Sequence, residues 1–194
     1  MNAVAEIAPE LAGYLDELVR RLASVTELDA VYLFGSAAHG AYEHGRSDVD
    51  VIAVTARPSS LAVKQALAEA AESLPCPARK LELVVYARGS DRHQVNVNTG
   101  ELVHFDPDDD PPFWFVLDRS IAEQHAVALL GPPWGEVFPP VPRDEVLAAL
   151  DGALAFDGWD DPDGAWLAAA RARIWRETGE WVSKKRAAEI EEAR

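Results

Sequence analysis

The sequence predicts an α+β protein, with a mixed sheet and flanking helices in its first half and a helical second half. Three observations carry this. Apolar runs of strand length, Leu28–Phe34, Asp48–Val54 and Lys80–Tyr86, alternate with helical periodicities before position 106. The acidic, proline-rich stretch Asp106-Pro107-Asp108-Asp109-Asp110-Pro111-Pro112 can continue neither a strand nor a helix interior and reads as a solvated linker. All six tryptophans follow it (Trp114, Trp134, Trp159, Trp166, Trp175 and Trp181), in company with helix patterns. The expected division is residues 1–106 and 113–194, and 194 residues suffice for two small cores.

Ile7, Leu11, Leu15, Leu18 and Leu22 recur every three or four positions, which predicts an amphipathic helix over 5–23. The strand Leu28–Phe34 is broken by Gly35-Ser36, and Asp48–Val54 by Arg57-Pro58-Ser59-Ser60. Ser59 or Ser60 can cap a helix over 61–73. Lys80–Tyr86 follows as a third strand. Gln94–Asn98 and Leu102–Phe105, separated by Thr99-Gly100, suit a hairpin. Beyond the linker, helices are expected over 113–130, 143–156, 163–178 and from Ser183, a plausible N-cap.

The formal net charge of −15 argues against a basic face for nucleic acid and favours cationic or metal-chelated partners. The one cysteine, Cys76, can form no internal disulfide and no cysteine zinc cage; between two prolines it reads as a loop thiol. Acids at Glu6, Glu10, Asp16 and Glu17 occupy the region where a signal peptide needs a basic start and an apolar stretch. With no apolar run of about eighteen residues, a cytoplasmic protein without a membrane partner is expected.

The chemistry concentrates in Leu33-Phe34-Gly35-Ser36 and, after eleven intervening residues, Asp48-Val49-Asp50. Alternate residues of a strand share a face, so Asp48 and Asp50 project together. Two adjacent carboxylates repel unless a cation neutralises them, and hard oxygen donors suit Mg²⁺, which also takes phosphate oxygens. Gly35 lets the backbone turn and approach a ligand, and Ser36 offers a hydroxyl and an amide, as an anion such as a triphosphate tail requires. Glu82, inside the apolar strand Leu81-Glu82-Leu83-Val84-Val85, is costly to cover unless something pairs with it. Beside the aspartate strand it becomes a third ligand or a general base.

Gly35-Ser36, Ser47-Asp48-Val49-Asp50 and Glu82 resemble the signature of the nucleotidyltransferase superfamily, which includes DNA polymerase β. Within it the chain is most similar to the streptomycin/spectinomycin adenylyltransferases. Further similarity lies in Ala126–Pro132, Val137–Pro142, Arg173-Ile174-Trp175 and Ser183-Lys184-Lys185. The resemblance implies a polymerase β-like catalytic domain followed by a helical domain. It implies Mg²⁺, two ions held by Asp48 and Asp50, with ATP as co-substrate. Gly35, Ser36, Ser47 and Asp48 would bind the nucleotide, and Glu82 would be the catalytic base. AMP would then pass to a hydroxyl of a small cationic acceptor such as an aminoglycoside or aminocyclitol. Family members continue past the position of Arg194, so the helical domain is expected to be shortened. The final helix, where the family places acids for the cationic drug, carries Glu189 and a reversed charge at Lys185.

Trp114, the first tryptophan after the linker, is the choice for stacking on adenine or a sugar ring. His39 and His44 read as loop residues and His93, His104 and His125 as scattered ones; Lys184-Lys185-Arg186 suits either phosphate or solvent. Two rival functions are an antitoxin-type enzyme that adenylylates proteins and a truncated, non-catalytic member of the fold. The helical half speaks against the first and the acid triad against the second.

Overall fold

The apolar runs become the centre of a six-stranded sheet ordered β5-β4-β3-β2-β1-β6. The strands are β1 (Leu28–Phe34), β2 (Val49–Thr55), β3 (Leu81–Ala87), β4 (His93–Asn98), β5 (Leu102–His104) and β6 (Val127–Leu130). Only β2 and β3 run parallel; the other neighbours are antiparallel, so the sheet is mixed as expected. A parallel pair needs a crossover. Here it is α3 (Leu61–Glu72), which Ser60 caps through its Oγ to the Val63 N–H at 3.4 Å. Ser59 is otherwise engaged, its own N–H donating to Gln94 Oε1 at 2.8 Å.

This computed structural model describes residues 7–158 and 162–194. On one face of the sheet, α1 (Pro9–Val25) presents Leu11, Leu15, Leu18 and Leu22 and α3 presents Leu67 and Ala71. Both helices cover Val31, Leu33, Val51, Ala53, Leu83 and Val85, all fully buried. The alternate residues face the other way. Among them Tyr32 lies edge-on to Trp134, with centroids 5.1 Å apart, and Tyr86 edge-on to Phe138 at 5.4 Å. The Tyr32 hydroxyl donates to the Pro132 carbonyl at 2.8 Å, and burial pushes its pKa up to about 12.

The expected helix over 113–130 is corrected. Helix α4 (Pro112–His125) stops early, and Val127–Leu130 pairs with the outer edge of β1, Leu33 opposite Val127 and Tyr32 opposite Ala128. A short apolar run satisfies either period, and the unpaired N–H and C=O groups of β1 decide in favour of a strand. Gly131 ends β6 at φ +83°, where a Cβ would stand 2.2 Å from the Asp29 carbonyl oxygen. The chain accordingly divides differently from 1–106 and 113–194. One unit holds described residues up to Pro111 together with His125–Pro139; the other holds Pro112–Gln124 and the described residues from Pro140 onward. Trp134 belongs to the first unit.

The second unit contains α5 (Arg143–Ala155), α6 (Pro162–Thr178) and α7 (Lys184–Glu192), besides most of α4. Trp181 is its anchor: the indole N–H donates to Ser120 Oγ at 2.9 Å, its backbone N–H to Gln124 Oε1 at 2.8 Å, and Arg171 lies over its ring. Ser183 caps α7 through the Arg186 N–H, as its position in the sequence predicts. Trp159 lies outside the described residues, and no described helix is long and apolar enough to cross a membrane.

The acidic stretch is not wholly solvated. Asp110 is buried between two histidines, Oδ1 at 2.9 Å from His104 Nδ1 and Oδ2 at 3.4 Å from His93 Nε2. Burial pulls the pKa of His93 below 6.5, with Asp110 opposing and Arg92 and Lys64 adding to the fall. The unfolded chain therefore binds a proton more readily than the folded one, so the His93 contribution is fully present above about pH 6.5 and declines as pH falls below it. Urea titrations at pH 7.5 and 5.5 are expected to show a smaller acid-side loss of stability for His93→Gln than for the wild type; equal losses would contradict this.

Candidate active site

Three strands deliver the expected residues to one end of the sheet. β1 runs into Gly35 and Ser36 of a single helical turn, α2 (Gly35–Ala38). β2 carries Asp50, and β3 carries Glu82. In the parallel register Asp50 is paired with Glu82, so the two side chains stand on the same face of strands about 4.8 Å apart. Their flanking residues, Val49, Val51, Leu81 and Leu83, are fully buried on the opposite face, which fixes the outward direction of the acids.

Gly35 serves this geometry twice. Its φ is +64°, and a Cβ there would lie 1.9 Å from Asp50 Oδ2. The turn and the carboxylate therefore occupy one another's space, and only hydrogen at position 35 allows both.

Asp48 precedes β2 and forms a two-point ion pair with Arg79, Nε to Oδ1 at 2.8 Å and Nη2 to Oδ2 at 2.6 Å. The bond to Asp48 holds the guanidinium pKa above its ordinary value. Lys80 Nζ bridges Glu82 Oε1 at 2.9 Å and Glu101 Oε2 at 2.6 Å. Burial alone would pull the Lys80 ammonium down; its bonds to Glu101 and Glu82 carry it upward instead. Ser47 Oγ accepts the Glu43 N–H at 2.9 Å, holding the loop before Asp48 in a turn. Gly35, Ser36, Ser47, Asp48, Asp50 and Glu82 thus all lie in the first unit, on or beside β1, β2 and β3.

Arg79 and Lys80 escape a reading that looks only for acids and glycines, and Glu101 escapes one confined to β1, β2 and β3. The signal for Lys80 was present, since it stands two residues before Glu82 and so shares its face. Glu101 follows the Thr99-Gly100 turn and becomes relevant only once β4 is paired with β3.

The remaining candidates belong elsewhere. Trp114, in the second unit, is half-buried against Phe113 and Phe156, with centroids 4.7 and 5.8 Å away. Glu189, also in that unit, is paired with Arg186 at 3.0 Å. His39 stacks on His125 with centroids 4.8 Å apart, while His44 lies 4.0 Å from Glu10. Among the described residues no three His, Cys, Asp or Glu side chains form a ready metal cage. The donor set nevertheless fits Mg²⁺, which takes one or two carboxylates and completes its shell with water and phosphate oxygens. The Arg79 guanidinium on Asp48 shows that this carboxylate already accommodates a cation.

Residues 14–105 match the family model described as the nucleotidyltransferase domain. They carry β1 to β5 together with Gly35, Asp50 and Glu82, so this part of the chain is similar to such a domain. Among solved structures, the fold is similar to that of the spectinomycin adenyltransferase AAD(9) from Enterococcus faecialis, crystallised with ATP and spectinomycin. The TM-score is 0.75 at 16% identity, covering 95% of this chain and 83% of that one. At that identity the likeness is one of fold. No curated protein sequence is similar enough to count as a match.

The contact between Gly35 and Asp50 can be tested by a double-mutant cycle. Gly35→Ala alone is expected to destabilise by more than the roughly 1–2 kcal/mol that the left-handed conformation costs an alanine, because the methyl also strikes Asp50. In an Asp50→Gly background the same change is expected to cost only the conformational share. Equal costs in the two backgrounds, measured by urea denaturation, would mean that the carboxylate does not occupy that space.

Proposed function

We propose that the protein is a Mg²⁺-dependent adenylyltransferase that moves AMP from ATP to a hydroxyl of a small cationic acceptor, releasing pyrophosphate. The observation that carries this reading is the pairing of Asp50 with Glu82 across β2 and β3, closed against Gly35. Asp48 and Asp50 would hold the metal. Mg²⁺, when bound, supplies charge neutralisation and alignment for the α-phosphate and the triphosphate tail.

The chain's own residues perform the rest. Ser36 and Ser47 donate hydroxyl hydrogens to phosphate oxygens; Ser47 Oγ accepts an amide N–H and so keeps its own proton to give. Gly35 keeps the backbone close to the phosphates. Glu82 takes the proton of the acceptor hydroxyl as its oxygen attacks the α-phosphorus in line. The bond from that phosphorus to the bridging oxygen breaks, and pyrophosphate leaves. Lys80 engages Glu82 Oε1 and leaves the geometry of a second carboxylate oxygen for the proton.

An aminoglycoside or aminocyclitol is the acceptor class supported by three things. These are the sequence resemblance, the strongly negative charge of the chain, and the fold shared with a spectinomycin adenyltransferase. Trp114 is assigned to stacking and Glu189 to the acceptor's ammonium groups; Glu189 would exchange Arg186 for that ligand.

Pyrophosphate release from ATP and Mg²⁺ is expected to depend on an acceptor of this class. Glu82→Gln is expected to slow it by about 10²- to 10⁴-fold, the range of a lost general base, with ATP affinity retained. Acceptor-dependent release that survives Glu82→Gln unchanged would remove the base from its role. Failure of spectinomycin, streptomycin and related acceptors to elicit any release would overturn the acceptor class.

A further inference from the structure

The cation that occupies Asp48 belongs to the protein itself. Arg79 engages both oxygens of this carboxylate, side-on, through Nε and Nη2. The contact is built into the backbone. The Arg79 N–H donates to the Ser47 carbonyl at 3.2 Å, and the Val49 N–H donates to the Lys80 carbonyl at 3.0 Å. These bonds extend the parallel pairing of β2 and β3 by two residues and bracket Asp48 from both sides. The carboxylate is well covered, with its side chain 16% exposed, whereas that of Arg79 is 55% exposed. One partner is therefore fixed and the other can leave into solvent.

This arrangement differs from that of the neighbouring acids. Lys80 is nearly buried and spread over two carboxylates, Glu82 and Glu101, so it has no comparable exit. Asp50 is held against Gly35. Both oxygens of Asp48 are taken by an arginine fork, a geometry that satisfies the in-plane lone pairs a metal would use.

We propose that Arg79 is a built-in counter-ion for Asp48 that competes with the divalent metal and must swing away before that carboxylate can act as a ligand. The inference rests on the assignment of Asp48 and Asp50 as the metal-holding pair. Its consequence is a site that stays neutralised without metal, at the cost of weaker binding of a bare ion. Release of the surface-exposed guanidinium can proceed without moving the backbone that carries Asp48, which is already pinned.

The test is the affinity of the nucleotide-free protein for Mn²⁺, read by the loss of free Mn²⁺ signal in electron paramagnetic resonance. Arg79→Ala and the shape-preserving Arg79→Gln are each expected to bind Mn²⁺ about two- to fivefold more tightly than the wild type, as removal of one competing ion pair implies. Arg20→Ala removes an equal charge from an exposed pair on α1 and is expected to leave the affinity unchanged. Adding Asp50→Asn is expected to abolish the binding in every background. If the wild type binds Mn²⁺ through Asp50 but both Arg79 variants bind it equally or more weakly, the counter-ion role is overturned while the metal assignment stands. If binding is undetectable in all forms, or indifferent to Asp50→Asn, the metal assignment fails and the inference fails with it. Circular dichroism melts establish that the variants are folded, as the exposure of Arg79 predicts.

Discussion

The parallel register between β2 and β3 is the constraint on which the rest of the candidate site depends. It places Val51 beside Leu83 on the buried face and Asp50 beside Glu82 on the other. A shift of β2 by one residue would turn its fully buried Val49 and Val51 outward and Asp50 inward, a change the apolar core forbids. The core thus determines where the carboxylates stand, and the carboxylates themselves contribute nothing favourable until a cation faces them. In the described residues that role falls to Arg79 and Lys80, each delivered by the segment immediately before β3.

The same register explains the glycine. Phe34 is paired with Asp50 across the antiparallel β1–β2 ladder, so the residue after Phe34 turns directly over the Asp50 side chain. A residue with a Cβ at position 35 would press on the carboxylate from above. Proximity of backbone, hydroxyl and acid at this one strand end follows from the sheet.

Much of this was legible in the sequence, for identifiable reasons. β1 begins and ends where its apolar run does, because Gly35 cannot continue the strand and Asp29 and Leu28 still can. The acids of β2 and β3 stood out because alternation with aliphatic residues gives an acid only one direction to point. Ion pairs were less legible: a long side chain such as that of Arg79 reaches a partner 31 positions away that no local pattern marks. Val127–Leu130 fits a helix as well as a strand, because four apolar residues satisfy either period, and the open edge of β1 that selects a strand exists only after folding. Nor does the sequence around Asp110 distinguish it from a solvated linker, since its cover depends on His93 and His104 from two different strands.

Adenylyl transfer is defined by which bond of the nucleotide is broken. ATP labelled in turn at the α- and γ-phosphates, incubated with Mg²⁺, the protein and spectinomycin, distinguishes the possibilities through the fate of the label. The α-label is predicted to appear in the acceptor and the γ-label in pyrophosphate. Transfer of the γ-label to the acceptor, or appearance of either label in no product but the starting nucleotide, would contradict nucleotidyl transfer to this acceptor at the Asp50–Glu82 site.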